Sequence, residues 1–264
     1  MEANRPIGVL DTGVGGLTVV RELQKLLPGE DIIFFGDSAN CPYGNRSSEE
    51  IVELSRRMFD FLGDHCVKAT AIACNTISSL KDVLQPMANH HIISIIEAAA
   101  DYIAREKLDD IGLIATEFTV HSGCYDKLIH EKDPHCRVTG KGSPLLAHLV
   151  DRGDFDQEAI DHEIKTEVDD ILARAPIRHL VLGCTHYPIV ADNFRKLYPS
   201  LHLIDPAREQ ALAMKRFLEE NDAINPQKQG SFRLCTSGDP QNFIKVSEML
   251  GITKPTEIQV IQLS

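Results

Sequence analysis

Two stretches of the sequence follow the same pattern, and that pattern constrains the fold more than any other feature. Residues 69–76 and 178–188 each begin as an apolar run with the length of a buried strand. Each run ends in a small residue and a cysteine, Cys74 or Cys184, and two polar residues then open a helical pattern. Strands that lead directly into helices are typical of parallel α/β sheets. If the two stretches face each other, one thiol lies on each side of a bound molecule.

The rest of the chain repeats this alternation. Apolar runs bounded by turn residues predict strands, and apolar residues spaced three and four apart predict helices. Besides the two strands that carry the cysteines, the pattern predicts strands at 7–11, 31–35, 92–96, 111–116, 232–235 and 257–261. It predicts helices at 17–27, 47–63, 155–174, 206–219 and 242–250, and two more that end near residues 84 and 107. The second of these helices opens with Ser47 and Glu50 at the spacing of a capping box.

A short motif that occurs twice along the chain indicates two related lobes. Ile7-Gly8 in the first strand recurs as Ile111-Gly112, at nearly the same separation as the two cysteines. We predict a first lobe of residues 1–97 together with 208–264, and a second lobe of residues 98–207.

The candidate site residues fall in both lobes. Asp11 and Cys74 belong to the first lobe, and Cys184 and His186 belong to the second. In parallel sheets, ligands bind beyond the carboxyl ends of the strands. The predicted fold is therefore α/β with two pseudo-symmetric lobes, each a parallel sheet flanked by helices, and with the active site in the cleft between them.

Composition excludes several classes of partner. A net charge of −12 argues against nucleic acid, which requires a basic face. No apolar run approaches the roughly 20 residues that cross a bilayer, so we expect no membrane partner. Residues 1–6 lack the apolar segment of a signal peptide, which predicts a cytoplasmic protein. The sequence is compatible with a homodimer.

The seven cysteines carry no disulfide or zinc signature. Their number is odd and no two are spaced as C-x-x-C, so we expect neither a disulfide framework nor a structural zinc site, and we assign no metal ligand. A free cysteine is usually a small buried hydrophobe, and five are interpreted in this way. These are Cys41, Cys66, Cys124, Cys136 and Cys235.

Cys74 and Cys184 differ because of their positions. A thiol at a strand end that faces a helix N-terminus can have its pKa lowered from about 8.5 into the physiological range. His186 follows Cys184 by two residues and is either a general acid or base or a packed side chain. Two opposed thiols supply a base on one face of a stereocentre and an acid on the other, which inversion requires.

Two motifs near the N-terminus match other enzyme classes only in part. Residues 13–16 and the later Asp37 resemble a dinucleotide fingerprint, but Thr18 stands where its third small residue belongs. A tight glycine turn that lets backbone amides approach an anion explains them better. Asp11-Thr12-Gly13 matches the triplet of aspartic proteases, which need two such carboxylates, and residues 236–239 have the wrong order for the second.

With these motifs, the sequence resembles the glutamate racemases of the aspartate/glutamate racemase superfamily over nearly its whole length. That superfamily also includes aspartate racemases, hydantoin racemases and a decarboxylase, but the two cysteine motifs look like those of the glutamate enzymes. The resemblance rests on residues 11–19, 36–37, 42–46, Cys74-Asn75-Thr76, Ile111-Gly112, Thr116, Thr119-Val120 and Gly183-Cys184-Thr185-His186-Tyr187-Pro188.

The resemblance implies cofactor-independent interconversion of L- and D-glutamate, with D-glutamate supplied for peptidoglycan synthesis. It assigns Cys74 to the D enantiomer and Cys184 to the L enantiomer. Asp11 and His186 would assist the neighbouring thiols. The residues that it implies in substrate binding are Asp11, Thr12, Pro42, Tyr43, Gly44, Asn75, Thr76, Thr116, Thr119, Thr185 and His186.

Three residues depart from the family pattern. Thr12 replaces the usual serine and keeps its hydroxyl group. Asp151 ends a segment that normally ends in glutamate, and we expect it to support His186 or the Cys184 side as an auxiliary catalytic residue. Ala98 stands where proline is frequent, which is expected to loosen the crossover between the lobes.

Two other classes of function remain open at the level of sequence. A thiol hydrolase would use Cys184 alone and leave Cys74 dispensable. A two-lobed binding protein without catalysis would tolerate serine at both positions.

Overall fold

The computed structural model describes residues 2–153 and 155–263. The strands of this part of the chain are β1 (Ile7–Asp11), β2 (Ile32–Gly36), β3 (Ala69–Ile72), β4 (His91–Ser94), β5 (Asp110–Ala115), β6 (Arg137–Gly142), β7 (His179–Gly183), β8 (His202–Ile204), β9 (Phe232–Thr236) and β10 (Glu257–Val260). Its helices are α1 (Leu17–Leu26), α2 (Ser48–Asp64), α3 (Asn75–Ser78), α4 (Lys81–Leu84), α5 (Ile95–Arg105), α6 (Glu117–His121), α7 (Cys124–Lys132), α8 (Leu146–Asp151), α9 (Gln157–Arg174), α10 (Ala191–Leu197), α11 (Pro206–Glu220) and α12 (Gln241–Met249).

These strands form two sheets. The first has six strands in the order β10-β9-β2-β1-β3-β4, and the second has four in the order β6-β5-β7-β8. Neighbouring strands are parallel throughout both sheets. Helices flank both sheets, which confirms the predicted α/β class. Because β9 pairs with β2, the C-terminal segments return to the first sheet.

The two sheets share one apolar core. α11 packs against α1 and α5, and it contacts β3 and β4 of the first sheet as well as β7 of the second. The same hydrophobic cluster contains Val9 and Ala71 from the first sheet and Leu113 and Val181 from the second. This core is continuous across both sheets and marks no boundary between two lobes. The division of the chain after residues 97 and 207 therefore stays a prediction.

Local sequence signals place the boundaries of several helices. At the start of α2, the Glu50 amide donates to Ser47 Oγ at 3.2 Å, and the Ser47 amide donates to Glu50 Oε2 at 3.0 Å. This is the predicted capping box, which satisfies two amides that lack partners within the helix. α1 ends just before Pro28-Gly29, which cannot continue a helix.

The structure differs from the sequence-based expectation after the first cysteine. The helix predicted to end near residue 84 is broken into α3 and α4, each of four residues. Ser79 Oγ donates to the carbonyl of Thr76 within α3, so this side chain competes with regular helical hydrogen bonding. Ser78 Oγ donates to the carbonyl of Ile72 at the end of β3.

Two strands of the second sheet were not predicted. β6 has the sequence Arg-Val-Thr-Gly-Lys-Gly, whose one large apolar residue is Val138, and it lies at the edge of the sheet, so it has no apolar alternation. β8 is only three residues long. Both escape recognition because their apolar patterns are too weak or too short.

The long helices are amphipathic. In α9, for example, the buried aliphatic residues Ile160, Ile164, Val168 and Ile171 recur at three- and four-residue spacing. Within residues 2–153 and 155–263, no helix combines the length and the apolarity needed to cross a membrane.

Candidate active site

The two cysteines with mirrored sequence contexts line one cavity. Cys74 follows β3 of the first sheet and Cys184 follows β7 of the second, and each is 7% exposed. The cavity volume is about 20 Å³, which is room for roughly one water molecule. An amino acid therefore enters only when the walls move apart. The lining consists of Thr12, Cys41, Pro42, Tyr43, Gly44, Cys74, Asn75, Thr76, Thr116, Ala147, Gly183, Cys184, Thr185 and His186.

Most of the residues predicted for the site are in this lining. Asp11, Thr119 and Asp151 lie behind it and contact residues that form it. The sequence did not indicate Cys41, Ala147 or Gly183 as site residues.

The environment of Cys74 differs from the one predicted. Its thiol precedes α3, and the amides of Ile77 and Thr76 act to lower its pKa. Burial of the sulfur and the nearby Asp11 carboxylate act more strongly in the opposite direction and raise the pKa above its ordinary value. The expectation of a lowered pKa at a helix N-terminus is therefore wrong for Cys74, because burial and Asp11 favour the protonated form of its thiol.

On the opposite wall, one imidazole links a carboxylate to the second thiol. His186 Nδ1 lies 3.6 Å from Cys184 Sγ, and His186 Nε2 lies 2.9 Å from Asp151 Oδ1. Burial lowers the pKa of the imidazole, but the hydrogen bonds with Asp151 and Cys184 outweigh burial and raise the pKa well above its ordinary value. Burial likewise acts to raise the pKa of Asp151, but the bond with His186 lowers it. The pair is therefore an imidazolium and a carboxylate.

Asp11 connects the two sheets below the cavity. It ends β1, is fully buried, and accepts a hydrogen bond from the Gly13 amide at 3.0 Å. Its other oxygen accepts from Thr185 Oγ1 at 2.9 Å. Burial raises the pKa of this carboxyl group, and the charge of His186 and the hydrogen bonds act against that shift.

The glycine turn after β1 allows the two halves of the site to approach closely. A Cβ atom on Gly15 would lie 2.7 Å from the backbone nitrogen of His186, and one on Gly13 would overlap the Asp151 carboxylate. The Val14 amide donates to Asp151 Oδ1 at 3.3 Å. The turn therefore lets a backbone amide approach an anion, as predicted, and that anion is a side chain of the protein.

Three threonine hydroxyl groups form a second link across the site. Thr76 Oγ1, at the start of α3, lies 3.0 Å from Thr116 Oγ1, which caps α6. Thr119 Oγ1 lies 2.9 Å from Thr116 and 3.4 Å from Thr76. Thr119 thus supports the two hydroxyl groups that reach the lining.

Asn75 offers an unpaired donor at the cavity wall. Its Oδ1 atom accepts a hydrogen bond from Tyr125 Oη at 2.7 Å, which fixes the orientation of the amide. Its Nδ2 atom is buried and has no hydrogen-bond partner among the described residues. A buried donor without a partner is costly unless a ligand uses it. Sequence reasoning missed Tyr125, which no motif marks.

Tyr43 is held in the lining by a buried carboxylate. Its hydroxyl donates to Asp37 Oδ2 at 2.5 Å, and Ser237 Oγ after β9 donates to Asp37 Oδ1 at the same distance. Asp37 thus supports the loop that carries Tyr43 and Gly44.

Comparisons with known proteins agree with this geometry. The sequence model of the Asp/Glu/Hydantoin racemase family matches residues 7–214. A glutamate racemase from Thermoanaerobacter pseudethanolicus is 40% identical over 258 residues, which cover 94% of this chain and 93% of that protein. The crystal structure of glutamate racemase from Francisella tularensis in complex with D-glutamate matches with a TM-score of 0.91 at 35% identity over 99% of both chains. A glutamate racemase isoform from Bacillus anthracis matches with a TM-score of 0.92 at 32% identity over 99% of both chains. The resemblance noted in the sequence is confirmed, and the chain belongs to the Asp/Glu/Hydantoin racemase family.

Proposed function

We propose that this protein is a glutamate racemase that interconverts L- and D-glutamate through Cys74 and Cys184. The observation that carries the proposal is that these two thiols, one from each sheet, line the same small cavity. The glutamate racemase relatives, including one solved with D-glutamate, support glutamate as the substrate.

The chemistry is a proton transfer at Cα with two groups on opposite faces. From L-glutamate, the Cys184 thiolate takes the Cα proton and the Cys74 thiol donates its own proton to the other face. The raised pKa of Cys74 suits it to be the acid in this direction. From D-glutamate the roles are exchanged. His186 lies next to Cys184 and Asp11 near Cys74, so each thiol has a group that assists its proton exchange.

The Cα proton is a weak acid, so the site must stabilise a carbanion-like transition state with fixed donors. Asn75 Nδ2 is a donor of this kind, because it is buried and unpaired among the described residues. The hydroxyl groups of Thr76, Thr116 and Thr185 lie on the same lining and are assigned to the substrate carboxylates. Thr12, Pro42, Tyr43 and Gly44 complete the proposed substrate contacts.

The cellular role follows from the product. D-glutamate is a building block of peptidoglycan, and we place this enzyme at the supply of that precursor in the cytoplasm. All seven cysteines are free, which suits a reducing compartment. A homodimer is the assembly that we propose to test by light scattering.

Circular dichroism of a glutamate solution tests the activity directly. The purified protein, without added pyridoxal phosphate, is expected to convert either L-glutamate or D-glutamate into an equal mixture of both enantiomers. The circular dichroism signal should therefore fall to zero from either starting material. Aspartate should react far more slowly. Equal turnover of aspartate, or a requirement for pyridoxal phosphate, would exclude the proposal.

Serine variants separate racemisation from the two alternative functions. Cys74→Ser and Cys184→Ser are each expected to lower the rate by about 10²–10⁴, the contribution of a positioned acid or base. Cys66→Ser, which changes an exposed cysteine, is the matched control. A thiol hydrolase would keep its activity in Cys74→Ser, and a binding protein would show no racemisation in any form.

A further inference from the structure

Three side chains beside the cavity form a cluster of metal-ligating atoms. One ligand atom each from Cys41, Asp151 and His186 lies within 4.8 Å of the other two. A thiolate, an imidazole and a carboxylate are all ligands of Zn²⁺, with bond lengths of about 2.0–2.3 Å. Ligands at those lengths around a tetrahedral ion are separated by roughly 3.3–3.6 Å. Small side-chain adjustments therefore bring the three atoms to an ion.

The cluster draws on three separate parts of the chain. Cys41 comes from the loop after β2, Asp151 ends α8, and His186 follows β7. The sequence did not reveal the cluster, because its three residues are far apart along the chain and form no C-x-x-C pair. The backbone carbonyl of Asp151 accepts a hydrogen bond from the Asn242 side chain of α12, which fixes the end of α8.

An ion from solvent can reach the cluster. Cys41 and Asp151 are partly exposed, whereas His186 is buried behind them. Cys41 Sγ donates a weak hydrogen bond to Thr12 Oγ1 at 3.9 Å and also interacts with the Asp151 side chain, so the sulfur already lies toward the other two ligands. An ion bound to His186 Nε2 would replace the proton that this atom now shares with Asp151.

We propose that Cys41, Asp151 and His186 form a binding site for a soft divalent cation such as Zn²⁺, and that the bound ion inhibits racemisation. Inhibition, which rests on the proposed function, follows because the ion holds the His186 ring in place and replaces the proton on Nε2, so the ring is no longer an imidazolium when it faces Cys184 through Nδ1. The fourth coordination position is left for water. The ion itself is regulatory and takes no part in the racemisation reaction.

Binding of Co²⁺, used as a spectroscopic probe for Zn²⁺, tests the site without reference to activity. The protein is freed of metal with a chelator and titrated with Co²⁺, and the absorption band of a thiolate–cobalt bond is recorded. We expect one Co²⁺ per chain, with displacement by Zn²⁺. Cys41→Ser should lose the band and weaken binding by about tenfold or more. The exposed Cys66→Ser should behave as the unchanged protein.

A second variant excludes a rival arrangement. His186 Nδ1 faces Cys184, so an ion could in principle use that sulfur instead. Cys184→Ser should keep the thiolate–cobalt band if Cys41 is the ligand. Loss of the band in Cys184→Ser but not in Cys41→Ser would overturn the proposal, as would unchanged binding in Cys41→Ser.

The rate of racemisation is then measured with and without Zn²⁺, and the rate of each variant with Zn²⁺ is compared with the rate of the same variant without metal. Zn²⁺ should inhibit racemisation by the unchanged protein, and a chelator should restore it. Cys41→Ser should need about tenfold or more Zn²⁺ for the same inhibition. Equal sensitivity of Cys41→Ser would overturn the inhibitory role. If no racemisation is found at all, the proposed function fails while the cobalt titration still decides the metal site.

Discussion

Asp151 Oδ1 lies 2.9 Å from His186 Nε2, on the side of the imidazole that faces away from Cys184. The Asp151 side chain is 23% exposed, whereas that of His186 is 4% exposed. The carboxylate thus lies between solvent and a buried imidazole, and it holds the ring with Nδ1 toward the thiol. Asp11, the other acidic group of the site, is fully buried and bonds to both halves of the site.

This difference in exposure predicts the relative importance of the two carboxylates. Asp151→Ala is expected to lower turnover less than Asp11→Ala, because water can replace the Asp151 contact with His186 but cannot reach the buried position of Asp11. Turnover in both directions of racemisation is the measurement. Asp151→Asn and Asp11→Asn serve as matched variants of equal size. A larger loss from Asp151→Ala would show that this ranking is wrong.

The positions that could be predicted from the sequence are those set by local patterns. The strands before Cys74 and Cys184 are apolar runs that end in turn residues, so their ends could be read directly. The capping box at Ser47 and Glu50 is likewise a local signal. Because ligands bind beyond the carboxyl ends of parallel strands, and each cysteine follows such an end in its own lobe, these local positions also predicted that both cysteines would reach one cavity.

The features that could not be predicted depend on contacts between distant residues. The raised pKa of Cys74 results from burial and from Asp11, which lies in another strand. Cys41 reaches the cavity because its loop is fixed by the contact of Tyr43 with Asp37 and by that of Asp37 with Ser237. No periodicity or motif in the sequence contains these contacts.

The glycine turn after β1 gives a steric prediction. Gly15→Ala is expected to lower racemisation by about 10², because displacing reacting groups by about 1 Å has this effect. The new Cβ atom would clash with the rigid backbone at His186, 2.7 Å away. The same racemisation assay measures the loss.

Gly63→Ala is the control for this substitution. The nearest atom to its new Cβ, at 3.1 Å, belongs to the exposed side chain of Asn89, which can move. This variant should therefore keep its activity. Normal activity of Gly15→Ala would show that the turn and the second sheet do not need to pack as closely as they do here.

The environment of His90 predicts part of the pH dependence of the free energy of unfolding. Burial lowers the pKa of this imidazole, and its Nε2 atom lies 2.6 Å from Thr70 Oγ1. The unfolded chain, with a histidine pKa of about 6.5, therefore takes up the proton more readily than the folded protein. The stabilising effect of neutral His90 is complete above about pH 6.5 and is lost as the pH falls below that value.

The measurement is the urea midpoint at about pH 7.5 and about pH 5.5, on either side of the histidine pKa. His90→Gln, which keeps an amide near Thr70, should show a smaller decrease at low pH than the unchanged protein. Part of the decrease should remain, because burial also lowers the pKa of His91 and His179. An equal decrease in both proteins would contradict the role of His90.

The last prediction tests whether two groups or one exchange the Cα proton. With L-glutamate in deuterium oxide, the early D product is expected to carry deuterium at Cα, because Cys74 donates a proton that has exchanged with solvent. The remaining L-glutamate should gain little label at first, since the proton taken by Cys184 is not returned to the same face before product forms. Mass spectrometry after chiral separation measures both enantiomers.

Starting from D-glutamate gives the matched control, because the same argument then holds with Cys74 as the base and Cys184 as the acid. The L product should carry the label and the remaining D substrate should not. A single base shared between the faces would exchange its proton with solvent and return a deuteron to either side, so it would give early label at equal levels in both enantiomers. That outcome, together with an active Cys74→Ser or Cys184→Ser variant, would exclude two opposed thiols, because each turnover in the proposed mechanism requires both.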